Sequence, residues 1–85
     1  MAELKDLRKR IDHLDEKILG LLVARFALSR EIGKQKISPT RDLNREQEII
    51  TNLEDRSPSL DVDAQAIDDI WYAILKHSRR AQKRD

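Results

Sequence analysis

Arg25 stands on a helical stripe that the sequence otherwise fills with leucine and isoleucine. Apolar residues fall at Leu4, Leu7, Ile11, Leu14, Ile18 and Leu21 and resume at Leu28 and Ile32, in alternating steps of three and four. A guanidinium on such a seam is costly unless an anion meets it, so an internal carboxylate or a ligand is expected there. Lys36 lies about 20° from Arg25 around an ideal helix, with Ser29 and Ile32 between them. Two cations separated by apolar surface suit an elongated dianion with a hydrocarbon middle. Near the C-terminus Ser78 and Gln82, spaced i,i+4, continue a face that is apolar one turn earlier. Asp42, Arg45 and Glu46 add a compact charged turn. Arg8 borders the first stripe, too far along it to share a ligand with Arg25 in one chain. In an antiparallel dimer it would approach the partner's Arg25.

Three helices must hold these groups. The first periodic segment runs from about Glu3 to Ile37 without a proline. Gly20 and Gly33 interrupt it, each costing about 1 kcal/mol against alanine, and mark either close helix crossings or tolerated surface positions. Such a helix is roughly 50 Å long, whereas a compact globule of this size has a radius of gyration of only about 12 Å. A lone chain leaves much of the stripe wet, so a dimer or higher oligomer of packed long helices is expected. Ser38-Pro39-Thr40-Arg41 breaks the helix, and Asp42 suits the N-cap of a second one ending near Asp55. That helix has few apolar residues: Leu43, Ile49, Ile50 and Leu53. Ser57-Pro58-Ser59 makes the next loop. Asp61 or Asp63 caps a third helix expected to bury Ile67, Ile70, Trp71, Ile74 and Leu75. The fold class is therefore all-α: one domain over residues 1–85, with one long, one short and one medium helix.

Composition narrows the function. The 85 residues contain no cysteine, which removes disulfides and thiolate chemistry. His13 and His77 are far apart in sequence and read as surface residues, so no metal or other cofactor is expected. A net charge of +1 with interspersed signs points to neither nucleic acid nor membrane as a partner. The N-terminus lacks the apolar core of a signal peptide, no apolar run approaches a membrane span, and the expected location is the cytoplasm. Trp71-Tyr72 reads as core anchorage. The basic run from Lys76 to Arg84 reads as a solvated helix end favoured by the helix dipole.

Taken in order, these motifs resemble one family. Leu7-Arg8 with Ile11-Asp12-x-Leu14-Asp15, then Leu21-Leu22-x-x-Arg25 and Ile32-Gly33-Lys34-x-Lys36, is similar to the first helix of the all-helical (AroQ-class) chorismate mutases. Asp42-Leu43-x-Arg45-Glu46 resembles that family's second-helix start, and Ser78-x-x-x-Gln82 its third-helix site. The resemblance implies an intertwined homodimer with two equivalent sites, each completed by the other chain's long helix. It implies that Arg25 and the partner's Arg8 clamp the two carboxylates of chorismate. Lys36 then bridges a carboxylate and the ether oxygen, and Gln82 bonds that oxygen from the other side. Glu46 takes the substrate hydroxyl, helped by the backbone near Asp42 and Arg45, and Ser78 touches a carboxylate. Two departures stand out: the linker between Lys36 and Asp42 holds only five residues, and Thr40-Arg41 replaces the usual aliphatic or aromatic residue.

The implied reaction, a Claisen rearrangement of chorismate to prephenate in phenylalanine and tyrosine biosynthesis, needs no nucleophile, metal or obligatory proton transfer. It needs a flexible arm held over a ring and donors in place for charge growing on the ether oxygen. Arginine's planar fork suits the first task. A neutral amide at Gln82 donates at any pH, so activity is not expected to require acid. Two alternatives remain at this level. One is an isochorismate pyruvate lyase or aminodeoxychorismate mutase on the same scaffold. The other is a non-catalytic helical interaction module in which Arg25 and Gln82 set register.

Overall fold

A computed structural model describes residues 3–35 and 42–83 of the chain. All regular structure among them is helical: α1 spans Leu4–Gln35, α2 Leu43–Glu54 and α3 Ala64–Lys83, with a short 3₁₀ turn at Ser57–Ser59. Helix bounds follow the capping chemistry. The backbone N–H of Arg45 donates to Asp42 Oδ1 at 3.0 Å, which satisfies an otherwise orphaned donor at the start of α2. Of the two aspartates that could start α3, Asp63 does so, accepting from the Ala66 N–H at 2.8 Å. The expected loop at Ser57-Pro58-Ser59 tightens into the 3₁₀ turn, with proline in its first positions where a missing N–H costs nothing.

α3 is the common partner, packing along the C-terminal part of α1 on one side and against α2 on the other. The centre is small. Ile67, Leu75 and Ala81 are the buried apolar residues among those described, and Ser29 and Ser78 are buried with them. Trp71 and Ile74 are half-buried as flanks of that face. Ile70 departs from the expected core and is 53% exposed. It lies about 140° around α3 from Leu75, on the flank turned away from α2. Tyr72 is likewise exposed, which corrects its reading as core anchorage.

The two glycines of α1 divide between the two expected roles. A Cβ on Gly20 would meet nothing within 4 Å, whereas one on Gly33 would lie 2.2 Å from the carbonyl oxygen of Gln82. Gly33 is thus where α1 and α3 cross backbone to backbone, beside a residue singled out for chemistry. The other end of α1 has no such partner among the described residues. Leu4, Leu7, Ile11, Leu14, Ile18 and Leu21 all stay exposed, from 42% at Leu7 to 70% at Leu21. The described chain measures 55 × 29 × 15 Å with a radius of gyration of 16.0 Å, well above the roughly 12 Å of a compact globule this size. No described helix is long and apolar enough to cross a membrane.

Candidate active site

A cleft of about 280 Å³ opens where the three helices meet. α1 contributes Arg25, Leu28, Ser29 and Ile32; α2 and its cap contribute Asp42, Arg45, Glu46 and Ile49; α3 contributes Leu75, Ser78, Arg79 and Gln82. Six residues singled out in the sequence therefore line one cavity: Arg25, Asp42, Arg45, Glu46, Ser78 and Gln82. Lys36 lies outside the described residues. Arg8 is exposed on α1, about 26 Å from Arg25 along the helix, and does not reach the cleft of its own chain.

Helical periodicity explains the gathering. Leu75, Ser78, Arg79 and Gln82 stand at i, i+3, i+4 and i+7, which is one face of α3. Arg25, Leu28, Ser29 and Ile32 repeat that spacing on α1. The polar members of each set continue the apolar packing surface, so close packing of α1 on α3 carries them into the cleft.

Arg25 decides the electrostatics. Its Nη1 donates to Ser78 Oγ, and the buried Ser29 hydroxyl donates to the Arg25 carbonyl at 3.1 Å, one turn back along α1. Among the described residues the guanidinium thus meets a neutral hydroxyl and not a carboxylate. Burial, and secondarily the positive charge of Arg45, pull its pKa below that of an ordinary arginine. A partly desolvated cation with donors to spare, and no carboxylate partner among the described residues, has the chemistry to receive an anion. The anionic groups nearby are engaged elsewhere. Asp42 caps α2, and Glu46 accepts from Arg79 Nη1 at 2.9 Å. Arg45, at the mouth, forms an exposed pair with Glu48.

Arg79 is the functional candidate that the sequence reading missed. In a chain so rich in charge it passes as solvated surface, yet its i+4 spacing from Leu75 and i−3 spacing from Gln82 put it on the cleft face. A larger cavity of about 340 Å³ adjoins, lined by Leu43, Gln47, Ile50, Asp68, Tyr72 and Leu75 together with Glu46 and Arg79. Among the described residues no cluster of histidine, cysteine, aspartate and glutamate could hold a metal ion.

Fold and cleft define a small all-helical protein whose cleft is lined by Arg25, Arg45 and Arg79. Comparison with known proteins specifies the class. The family model described as Chorismate mutase type II matches residues 7–83, and the chain belongs to that family. It is 35% identical over 80 residues to the bifunctional chorismate mutase/prephenate dehydratase of Escherichia coli, covering 91% of this chain but 21% of that protein. A bifunctional relative from Aquifex aeolicus is 45% identical over 56 residues, which cover 62% of this chain and 16% of that protein. The chorismate mutase of Methanocaldococcus jannaschii is 28% identical over 86 residues, covering 98% of this chain and 87% of the relative. The chain thus spans about a fifth of the length of the bifunctional relatives it matches. No solved structure gives a significant match.

Proposed function

We propose that this chain is a chorismate mutase, rearranging chorismate to prephenate without a cofactor. The observation that carries the reading is the desolvated Arg25, facing a hydroxyl in a cleft also lined by Glu46 and Gln82. In this reading Arg25 receives one substrate carboxylate, with Ser78 beside it. Arg8 of a second copy closes over the other carboxylate in an intertwined homodimer. Glu46 accepts the ring hydroxyl near the capped start of α2, where Asp42 and Arg45 hold the backbone. Gln82 and Lys36 donate to the ether oxygen as negative charge grows there. One carbon–oxygen bond breaks while one carbon–carbon bond forms, so catalysis consists of holding the reactive conformer and stabilising that charge.

Family membership and the names of the relatives support the reaction. The pairing of mutase with prephenate dehydratase in the names of several relatives supports a place in aromatic amino-acid synthesis, and a cytoplasmic location fits it. A lyase on the same scaffold would use similar clamps and would release pyruvate. The test is loss of chorismate absorbance on adding purified protein, with product identification, beside Arg25→Ala. Prephenate from the native chain and a loss on the order of 100-fold or more in the variant is the expected result. Pyruvate as product, or equal activity in both proteins, would overturn the proposal.

A further inference from the structure

The ion pair between Arg79 and Glu46 divides the molecule's two adjoining cavities. Both residues line the 280 Å³ cleft and the 340 Å³ cavity that shares its wall. A glutamate side chain at this boundary has room to turn towards either space. Arg79, reaching from α3, donates to Glu46 Oε1 at 2.9 Å and holds that oxygen in place. The pair is sheltered: its side chains keep 25% and 15% of their exposure, against 65% and 62% for Lys34–Glu31 and 59% and 60% for Arg45–Glu48. Exposed pairs contribute little, whereas a charge-assisted bond shielded from water orients strongly. Arg79 also contributes to the field. Among the described residues the cleft lining carries Arg25, Arg45 and Arg79 against Asp42 and Glu46, so removing Arg79 takes one positive charge from it and makes it less attractive to a dianion.

We infer that Arg79 is a positioning residue: it holds the Glu46 carboxylate at the cleft wall, turned to receive the substrate's ring hydroxyl and screened from the substrate's carboxylates. This rests on the mutase reading above. A carboxylate has acceptor sites for several donors, so engagement by Arg79 is compatible with accepting a hydroxyl as well. The alternative is an ion pair that only ties α2 to α3, which would affect stability and leave the kinetics alone.

The test compares native protein with Arg79→Met, Arg79→Lys, Glu46→Gln and the Arg79→Met/Glu46→Gln double variant, by chorismate kinetics from pH 5 to 9 and thermal melting. Arg79→Met is expected to lower kcat/KM by on the order of 10-fold, and Arg79→Lys to recover most of it. Glu46→Gln should cost much less in the Arg79→Met background than in the native chain, as for two groups acting as one. Among the described residues, the charged groups that line these cavities with Glu46 are Asp42 and Arg45 at the start of α2, Arg25 on α1, and Asp68 and Arg79 on α3. Loss of the adjoining cation favours the protonated carboxyl, so the acid limb of kcat/KM should move to higher pH in Arg79→Met. Unchanged kcat and KM in Arg79→Met, or losses that multiply independently in the double variant, would overturn the inference. If Arg79→Met does not fold, Arg79→Gln carries the same comparison. A native chain that leaves chorismate untouched would overturn the mutase reading, and this inference with it.

Discussion

Arg25 and Gly33 show how much of this molecule rests on single residues. Arg25 breaks an apolar stripe and finds a hydroxyl, so the cost of its burial is offset only in part inside the chain. Gly33 breaks the same helix for a steric reason. By helix propensity alone, Gly33→Ala should stabilise by about 1 kcal/mol. Its Cβ would instead sit 2.2 Å from the Gln82 carbonyl oxygen and 2.7 Å from the Gln82 Cα, backbone atoms that no rotamer change can move. Forced separation of packed elements costs about 1–3 kcal/mol, and we expect net destabilisation in denaturant melts together with lost activity as Gln82 shifts. Gly20→Ala, with open space around it, is the control: within the chain it should be neutral or stabilising. A Gly33→Ala protein as stable as the native one would contradict the crossing described here.

The three helices were legible because each carries its own signals. Period and length define α1, Asp42 starts α2, and the Ile67 to Leu75 stripe defines α3. Six of the eight proposed site residues line one cleft: Arg25, Ser78 and Gln82 stood out as polar side chains on apolar faces, and Asp42, Arg45 and Glu46 as a compact charged turn. Arg79 and Ile70 were misread for one shared reason. Which flank of α3 turns towards α2 is a tertiary fact, and periodicity fixes a stripe's direction more sharply than its edges. The α2–α3 junction also contains a conflict that no single-helix pattern reveals. The Glu54 carboxyl at the end of α2 is pushed up, first by hydrogen bonding to the Asp68 side chain, then by burial and the charges of Asp68 and Asp55. A carboxyl whose folded pKa is raised retains its proton better in the folded state, so stability falls as pH rises from the ordinary carboxylate range through the raised value. Glu54→Gln should therefore raise the melting temperature at pH 7, with the gain shrinking as pH falls to about 4. A gain that grows on acidification would contradict this.

At the scale of the whole molecule, the chain is too long in one direction to cover itself. The α1 stripe from Leu4 to Leu21 is an apolar ridge that no described residue covers, and Arg8 stands beside it. A second copy is the proposed cover, and it carries a sharper test than mass alone. Arg8→Ala and Arg25→Ala proteins should each be nearly inactive at about twice the 10.0 kDa chain mass. Unfolded and refolded together, they should regain about a quarter of native activity, because half of the random pairs are mixed and each mixed pair has one intact site. No recovery, or a mass near 10.0 kDa at micromolar concentration, would overturn the shared site. The crossing of α1 and α3 has a further consequence. The close approach of Gly33 to the Gln82 backbone both sets the crossing of the two helices and carries the side chain proposed to donate to the ether oxygen. On the proposed function, sequence drift there cannot trade rate against robustness, since one displacement would spoil both; adaptation would have to come from side chains further along the cleft, among them Arg45 and Arg79.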